Sequence, residues 1–160
     1  IPPRCSRVPD VAHVHHSALV TRDVDASLRF YRDGLGLRVL MDHEFDGDWR
    51  TLFGAPRNRL RSVFLGDPDS PDAGIVELVT FGPGADDGDA SRPGPPRAGF
   101  FLLSFFVDVD TTMARLAAVG LDDAVRRITV SGPGGDVDMV TVRDPNGVLV
   151  ELVGTPQIST

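Results

Sequence analysis

Two carboxylates in this sequence stand where a carboxylate is costly to keep. Glu77 lies in Ile75-Val76-Glu77-Leu78-Val79 and Glu151 in Val148-Leu149-Val150-Glu151-Leu152-Val153, so Val-Glu-Leu-Val closes both halves of the chain. An ionised group in such a run must be paired, protonated or bound to a metal, because an isolated charge loses too much hydration. Each glutamate is therefore a candidate general base or metal ligand. The ordinary alternative is an arginine partner, and all 16 basic residues are Arg.

Imidazoles are few. His13, His15 and His16 fall in Val11–Thr21, and His43 sits beside Glu44 before a polar turn. In a strand, His16, Ala18 and Val20 share one face, while His13, His15 and Ser17 lie mostly on the other. His43 reads as solvated, and His13 and His15 as structural or surface residues. Trp49, Phe101, Phe105 and Met139 are the candidates to line a ligand cavity, although aromatic and sulfur side chains more often fill cores. Trp49, in the polar stretch Asp46–Arg50, reads as the lip of a pocket. Arg50, Arg57 and Arg59 are the nearest candidates to hold an anionic substrate. Nucleophilic catalysis has no support: the single cysteine, Cys5, is near the start, and no nucleophile-elbow pattern occurs. Gly132-Pro133-Gly134-Gly135 lacks the Lys-Ser/Thr and helix of a phosphate-binding loop.

The elements that must position these residues repeat. Residues 1–10 form a Pro-rich lead-in, and Val11–Thr21 has the β-branched content of a strand. Asp23 or Asp25 caps a helix carrying Leu28, Tyr31 and Leu35 on one face, ended by Gly34 and Gly36. Strands follow at 38–45, 59–66 and 74–81. Residues 82–98, rich in Pro, Gly and Asp, read as a linker, since they carry almost nothing to bury. The order then recurs: a strand at 99–107, a helix from Asp108-Val109-Asp110 with Met113 and Leu116 on one side, and strands at 126–131, 137–143 and 148–153. Asp144-Pro145-Asn146-Gly147 is the turn before the last strand. That strand reads as buried on both faces. The spacing predicts an α+β fold of two tandem βαβββ modules, 11–81 and 99–154, followed by a tail at 155–160.

Composition bounds the partners. With 160 residues, 41% hydrophobic and 24% charged, the chain reads as a soluble globular protein. A net charge of −7 argues against nucleic acid and against an anionic membrane surface. Neither a spanning apolar run nor a signal-peptide pattern is found, so a cytoplasmic location is expected.

These residues together resemble the vicinal oxygen chelate superfamily, which includes glyoxalase I, extradiol dioxygenases and bleomycin resistance proteins. The resemblance rests on His16-Ser17-Ala18-Leu19-Val20, Asp23–Tyr31, Gly34-Leu35-Gly36-Leu37, Asp108-Val109-Asp110, and Asp144-Pro145-Asn146-Gly147 before Val150-Glu151-Leu152. It implies curled mixed sheets around a cup-shaped site, a small-molecule ligand and a homodimer. It also implies metal ligands at His16, Glu77 and Glu151, a set compatible with divalent Zn, Mn, Fe or Ni. The fourth ligand position, commonly His in metal-dependent members, falls on Phe101 or Leu102. Neither can bind a metal. The functional expectation is a glyoxalase-like enzyme (isomerase, epimerase, lyase or dioxygenase) with a site one ligand short and Glu77 or Glu151 as base. The alternative is a metal-free protein that binds or sequesters a small molecule, of the bleomycin-resistance type.

Overall fold

A computed structural model of the chain describes residues 14–71, 73–82, 99–132 and 135–156. Eight strands form two four-stranded mixed sheets, each with one parallel and two antiparallel pairings. The first sheet, in order β1-β4-β3-β2, is built from His16–Val20 (β1), Arg38–Asp46 (β2), Arg59–Gly66 (β3) and Ile75–Thr80 (β4). The second, in order β5-β8-β7-β6, uses Leu103–Phe106 (β5), Arg126–Gly132 (β6), Gly135–Arg143 (β7) and Leu149–Val153 (β8). In both, the first strand of the module pairs in parallel with its last. This is the expected α+β architecture of two βαβββ modules.

The helices begin as the aspartates require. Asp23 Oδ1 accepts the Ala26 amide ahead of α1 (Val24–Leu28), and Asp108 Oδ1 accepts the Thr111 amide ahead of α3 (Val109–Ala118). After α1 the chain loosens into a π-helical turn, Arg29–Gly34, with the Leu35 amide donating to the Phe30 carbonyl. Gly34 lies under Leu116 of α3: a Cβ there would come within 2.3 Å of the leucine Cδ2. That close approach packs the two helical segments together, and the two modules share one core. Phe30, Tyr31, Val63, Leu65 and Leu78 from the first are buried in one cluster with Leu116, Val140, Val142, Val150 and Leu152 from the second.

Polar bonds also cross between the modules. Tyr31 Oη donates to Asp144 Oδ2 at 3.0 Å, and Asn146 Nδ2 donates to Ser27 Oγ at 3.1 Å. Asp144 Oδ1 also takes the amides of Asn146 and Val148. Burial, with the Asp144 charge and its hydrogen bond, pushes the Tyr31 hydroxyl well above the usual phenol range. The Asp-Pro-Asn-Gly turn is thus also the anchor that holds the first helix to the second module.

Several elements differ from expectation. β1 starts at His16 and β5 at Leu103, where their parallel pairing with β4 and β8 begins. A short helix, α2 (Trp49–Phe53), lies between β2 and β3, where no element was expected, capped by Asp48 and ended by Gly54 at φ 67°. β8 alternates: Val150 and Leu152 are buried, whereas Leu149, Glu151 and Val153 face a half-open side. The expected lead-in at 1–10, the linker at 82–98 except Gly82, and the tail at 155–160 except its first two residues lie outside the described residues. Among the described residues, no helix is long and apolar enough to cross a membrane.

Candidate functional site

The parallel pairing of β1 with β4 sets Ala18 opposite Glu77, and antiparallel β3 sets Phe64 opposite it on the other side. Side chains of directly opposed residues share a face. Glu77 thus sits in a row with Ala18, Phe64 and Met41 on the side of the sheet away from the shared core. Its carboxylate is held from two directions. Ser62 Oγ, from a residue only 1% exposed, donates to Oε1. His16 Nε2 stands 3.3 Å from Oε2, and the side chains are 40% and 13% exposed for His16 and Glu77. Phe64 packs beside the imidazole with ring centroids 5.8 Å apart. One oxygen is thereby fixed by a hydroxyl and the other faces an imidazole, a geometry that defines a single carboxylate orientation. It can accept or return a proton in a partly dry setting.

His16 continues the chain of polar contacts. Its Nδ1 lies 2.9 Å from Nδ1 of His15, so one of the two nitrogens carries the proton and the other accepts it. The two imidazoles border a cavity of about 290 Å³ at the start of β1, closed by Ile75, Leu103, Ser104 and Phe105. The cavity therefore lies where the first sheet meets the first strand of the second.

Glu151 occupies the matching place in the second sheet but has other neighbours. Ser104 is opposite it on β5 and Thr141 on β7, and Ser104 Oγ donates to Oε2 at 2.7 Å. Pairing Ser104 with Glu151, as Ala18 pairs with Glu77, places Leu102 where the first module has His16. The structure therefore brings His16 and Glu77 together and leaves Glu151 with Ser104. Among the described residues, no three or more His, Cys, Asp and Glu side chains are grouped to hold a metal ion. A catalytic divalent ion ordinarily takes three protein ligands. One imidazole and one carboxylate already bonded to Ser62 do not by themselves fit such an ion.

The other candidates are dispersed. Phe105 lines the cavity and packs toward Tyr31, with ring centroids 6.5 Å apart. Phe101 precedes β5 and is 54% exposed. Met139 lies across from Ile128 and Val153 on the open side of the second sheet. Trp49 stacks on Phe53 at 5.6 Å and donates from Nε1 to the Phe45 carbonyl, forming an aromatic ledge on α2. Arg59 is taken by Glu44, and Arg50 donates to the Pro56 carbonyl. Sequence reasoning missed Ser62 and Ser104. The signal for Ser62 was its place as the one hydroxyl among Leu60, Val63, Phe64 and Leu65.

Comparison with known proteins gives a consistent picture. A family profile described as Glyoxalase/Bleomycin resistance protein/Dioxygenase superfamily matches residues 13–152. The chain is 37% identical over 160 residues to a lactoylglutathione lyase-like protein of Aspergillus terreus, covering 95% of this chain and 81% of the relative. It is 28% identical over 139 residues to a lactoylglutathione lyase of Haemophilus influenzae, covering 86% and 89% of the two chains. In fold it is similar to a glyoxalase family protein of Bacillus cereus, with a TM-score of 0.71 at 16% identity over 93% of this chain and 97% of that one.

Proposed function

Because this chain belongs to the Glyoxalase/Bleomycin resistance protein/Dioxygenase superfamily, we propose that it is an enzyme that moves a proton at a carbon beside a carbonyl group, with Glu77 as the proton acceptor. The observation that carries this reading is the arrangement of Glu77 between Ser62 and His16. Relatives named for a lyase of lactoylglutathione support the reaction class. Ser62 holds Oε1, which leaves Oε2 as the oxygen for the substrate proton. His16 faces that same oxygen and stabilises the ionised carboxylate when its Nε2 carries a proton. The Glu77 side chain is only 13% exposed and Phe64 packs beside the imidazole, which limits the water around the pair and strengthens the hydrogen bonds that remain.

The reading includes pairing of two chains. Its support is an apolar row across the open side of the second sheet, formed by Phe106, Val153, Met139 and Ile128. Phe106 is 71% exposed within one chain. Light scattering that finds only a species of monomer mass removes this part.

The test of the chemistry is solvent exchange. In D2O, proton NMR should show deuterium entering the carbon beside the carbonyl of an α-hydroxy ketone, or of the glutathione–methylglyoxal hemithioacetal. Glu77→Gln should slow that exchange by about 10²–10⁴-fold, the usual contribution of a positioned acid or base. Equal exchange rates in the two proteins would remove Glu77 from the reaction. Binding without exchange in the unaltered protein would bring forward the sequestering alternative.

A further inference from the structure

Among the described residues, four strands lie at sheet edges: β1, β2, β5 and β6. Three of them are protected. β1 and β5 have five and four residues and border the cavity between the sheets. β2 is interrupted by a register shift between Val39 and Met41 and carries Asp42, Glu44 and Asp46. Short strands, bulges and charges are how edges are kept from pairing with other chains. β6 has seven residues and pairs with β7 from Arg126 to Gly132 without a register shift. Its two charges lie at one end, and it carries no proline and no acid. Arg126 to Ser131 are all exposed, with Ile128 at 60% and Val130 at 44%.

The strand is also complementary to itself. Directly opposed residues in a sheet share a face, so a twofold axis relating two antiparallel copies of β6 must pass through a residue. An axis at Thr129 uses the whole strand. It sets Ile128 against Val130, Arg127 against Ser131 and Arg126 against Gly132. An axis at either arginine would instead oppose like charges. On the α3 side Arg127 is bonded to Asp110 and Asp138. There the Thr129 register places it in one row with Ser131 and then Asp136 of the second copy, because Ser131 pairs with Asp136. Unlike charges thus face each other across the junction. On the other side, the contact of Ile128 with Val130 carries the apolar row of Phe106, Val153, Met139 and Ile128 onward into the second copy.

We infer that two copies of this chain join edge to edge along β6, antiparallel and in the register centred on Thr129, so that their second modules form one eight-stranded sheet. This names the contact through which the pairing proposed above is made and rests on that reading for the pair itself. Backbone groups left open along β6 find their partners in the copy, and Ile128 and Val130 leave water together. Each chain carries a net charge of −7, which favours contact along the long edge that has no acid.

Light scattering and oxidative cross-linking of the full chain test it. At micromolar concentration the unaltered chain should have the mass of a dimer. Val130→Lys puts a charge opposite Ile128 of the copy and should leave only monomer, with the circular dichroism of the unaltered chain. Phe106→Lys, on the far strand of the same sheet, should leave the dimer intact. In a Cys5→Ser background, Thr129→Cys should form a disulfide between copies on mild oxidation. Residues at the axis stand about 4.5–5.5 Å apart between Cα atoms, within the range that a disulfide spans. Thr129 donates to Asp138; if its loss lowers the melting temperature, a mixture of Ile128→Cys and Val130→Cys chains decides in its place. Monomer alone in the unaltered chain would remove the pairing and this contact together. A dimer lost in Phe106→Lys and kept in Val130→Lys would overturn the edge contact and leave pairing through the open row standing. A dimer whose introduced cysteines stay unjoined on oxidation would overturn it as well.

Discussion

The two modules carry the same Val-Glu-Leu-Val strand and treat its glutamate differently. Across the first sheet, Glu77 stands in a row with Ala18, Phe64 and Met41. Across the second, Glu151 stands in a row with Ser104, Thr141 and Arg126. The first carboxylate has apolar lateral neighbours, a buried serine on one oxygen and an imidazole at the other. The second has a polar row and an exposed serine. At the place of His16, the second module has Leu102. A repeated strand therefore need not repeat the partners of its carboxylate. Burial raises the cost of the charge in the first module, and its polar partners offset that cost and orient the group.

The sharpest way to break this comparison is to neutralise each glutamate in turn. Glu77→Gln should lower proton-exchange activity by about 10²–10⁴-fold, whereas Glu151→Gln should lower it by less than about threefold, because Leu102 stands where the first module has His16. Calorimetry with Zn, Mn, Fe or Ni on the same pair adds a second reading. If Glu151→Gln weakened metal binding on the order of tenfold or more, the two carboxylates would share an ion and the contrast between modules would collapse.

A smaller effect is expected from the serines. Ser62→Ala leaves a half-buried carboxylate oxygen without its donor and should cost about 1–3 kcal/mol in urea denaturation. Ser104→Ala, on the exposed side, should stay within about 0.5 kcal/mol. Leu102→His tries to restore the missing imidazole. It should bring a histidine toward Glu151 and raise affinity for a divalent ion. Phe101→His, one residue out of register, should not.

A similarly small effect is expected where the modules agree, in ion pairs between the outer strands. Asp42 receives two hydrogen bonds from Arg61 at 2.8 Å, and Asp138 is bonded by Thr129 and Arg127. The Arg61 hydrogen bond holds the Asp42 carboxyl below its ordinary range, against a smaller opposing effect of burial. Its folded value is therefore lower than its unfolded one. The stability it adds is present above the unfolded value and disappears as pH falls through the folded one. Because both side chains are about 40% exposed, Asp42→Asn should cost under about 1 kcal/mol at pH 7. The difference from the unaltered chain should vanish in denaturation curves taken well below pH ~4.

Much of the fold was legible locally. Aspartates ahead of apolar helices, alternating strands and the Asp-Pro-Asn-Gly turn are short-range signals, and they carried the two βαβββ units. The conspicuous glutamates were legible for the same reason: a charge among valines and leucines stands out without any neighbour being known. Strand ends were less so, because β1 and β5 run only as far as β4 and β8 pair with them. The α2 helix was hidden in five residues whose cap, Asp48, looked like part of a polar turn.

What the chain's order of residues determined was which groups could do chemistry and which strands would carry them. Tertiary structure alone decided their company. Ser62 reaches Glu77 because β3 runs antiparallel to β4, and Tyr31 reaches Asp144 across 113 residues because two helical segments meet over Gly34. The matched Val-Glu-Leu-Val strands cannot reveal which glutamate has an imidazole beside it. A carboxylate's partners come from neighbouring strands, whose register is set by the packing of the whole sheet rather than by the residues on either side of the glutamate.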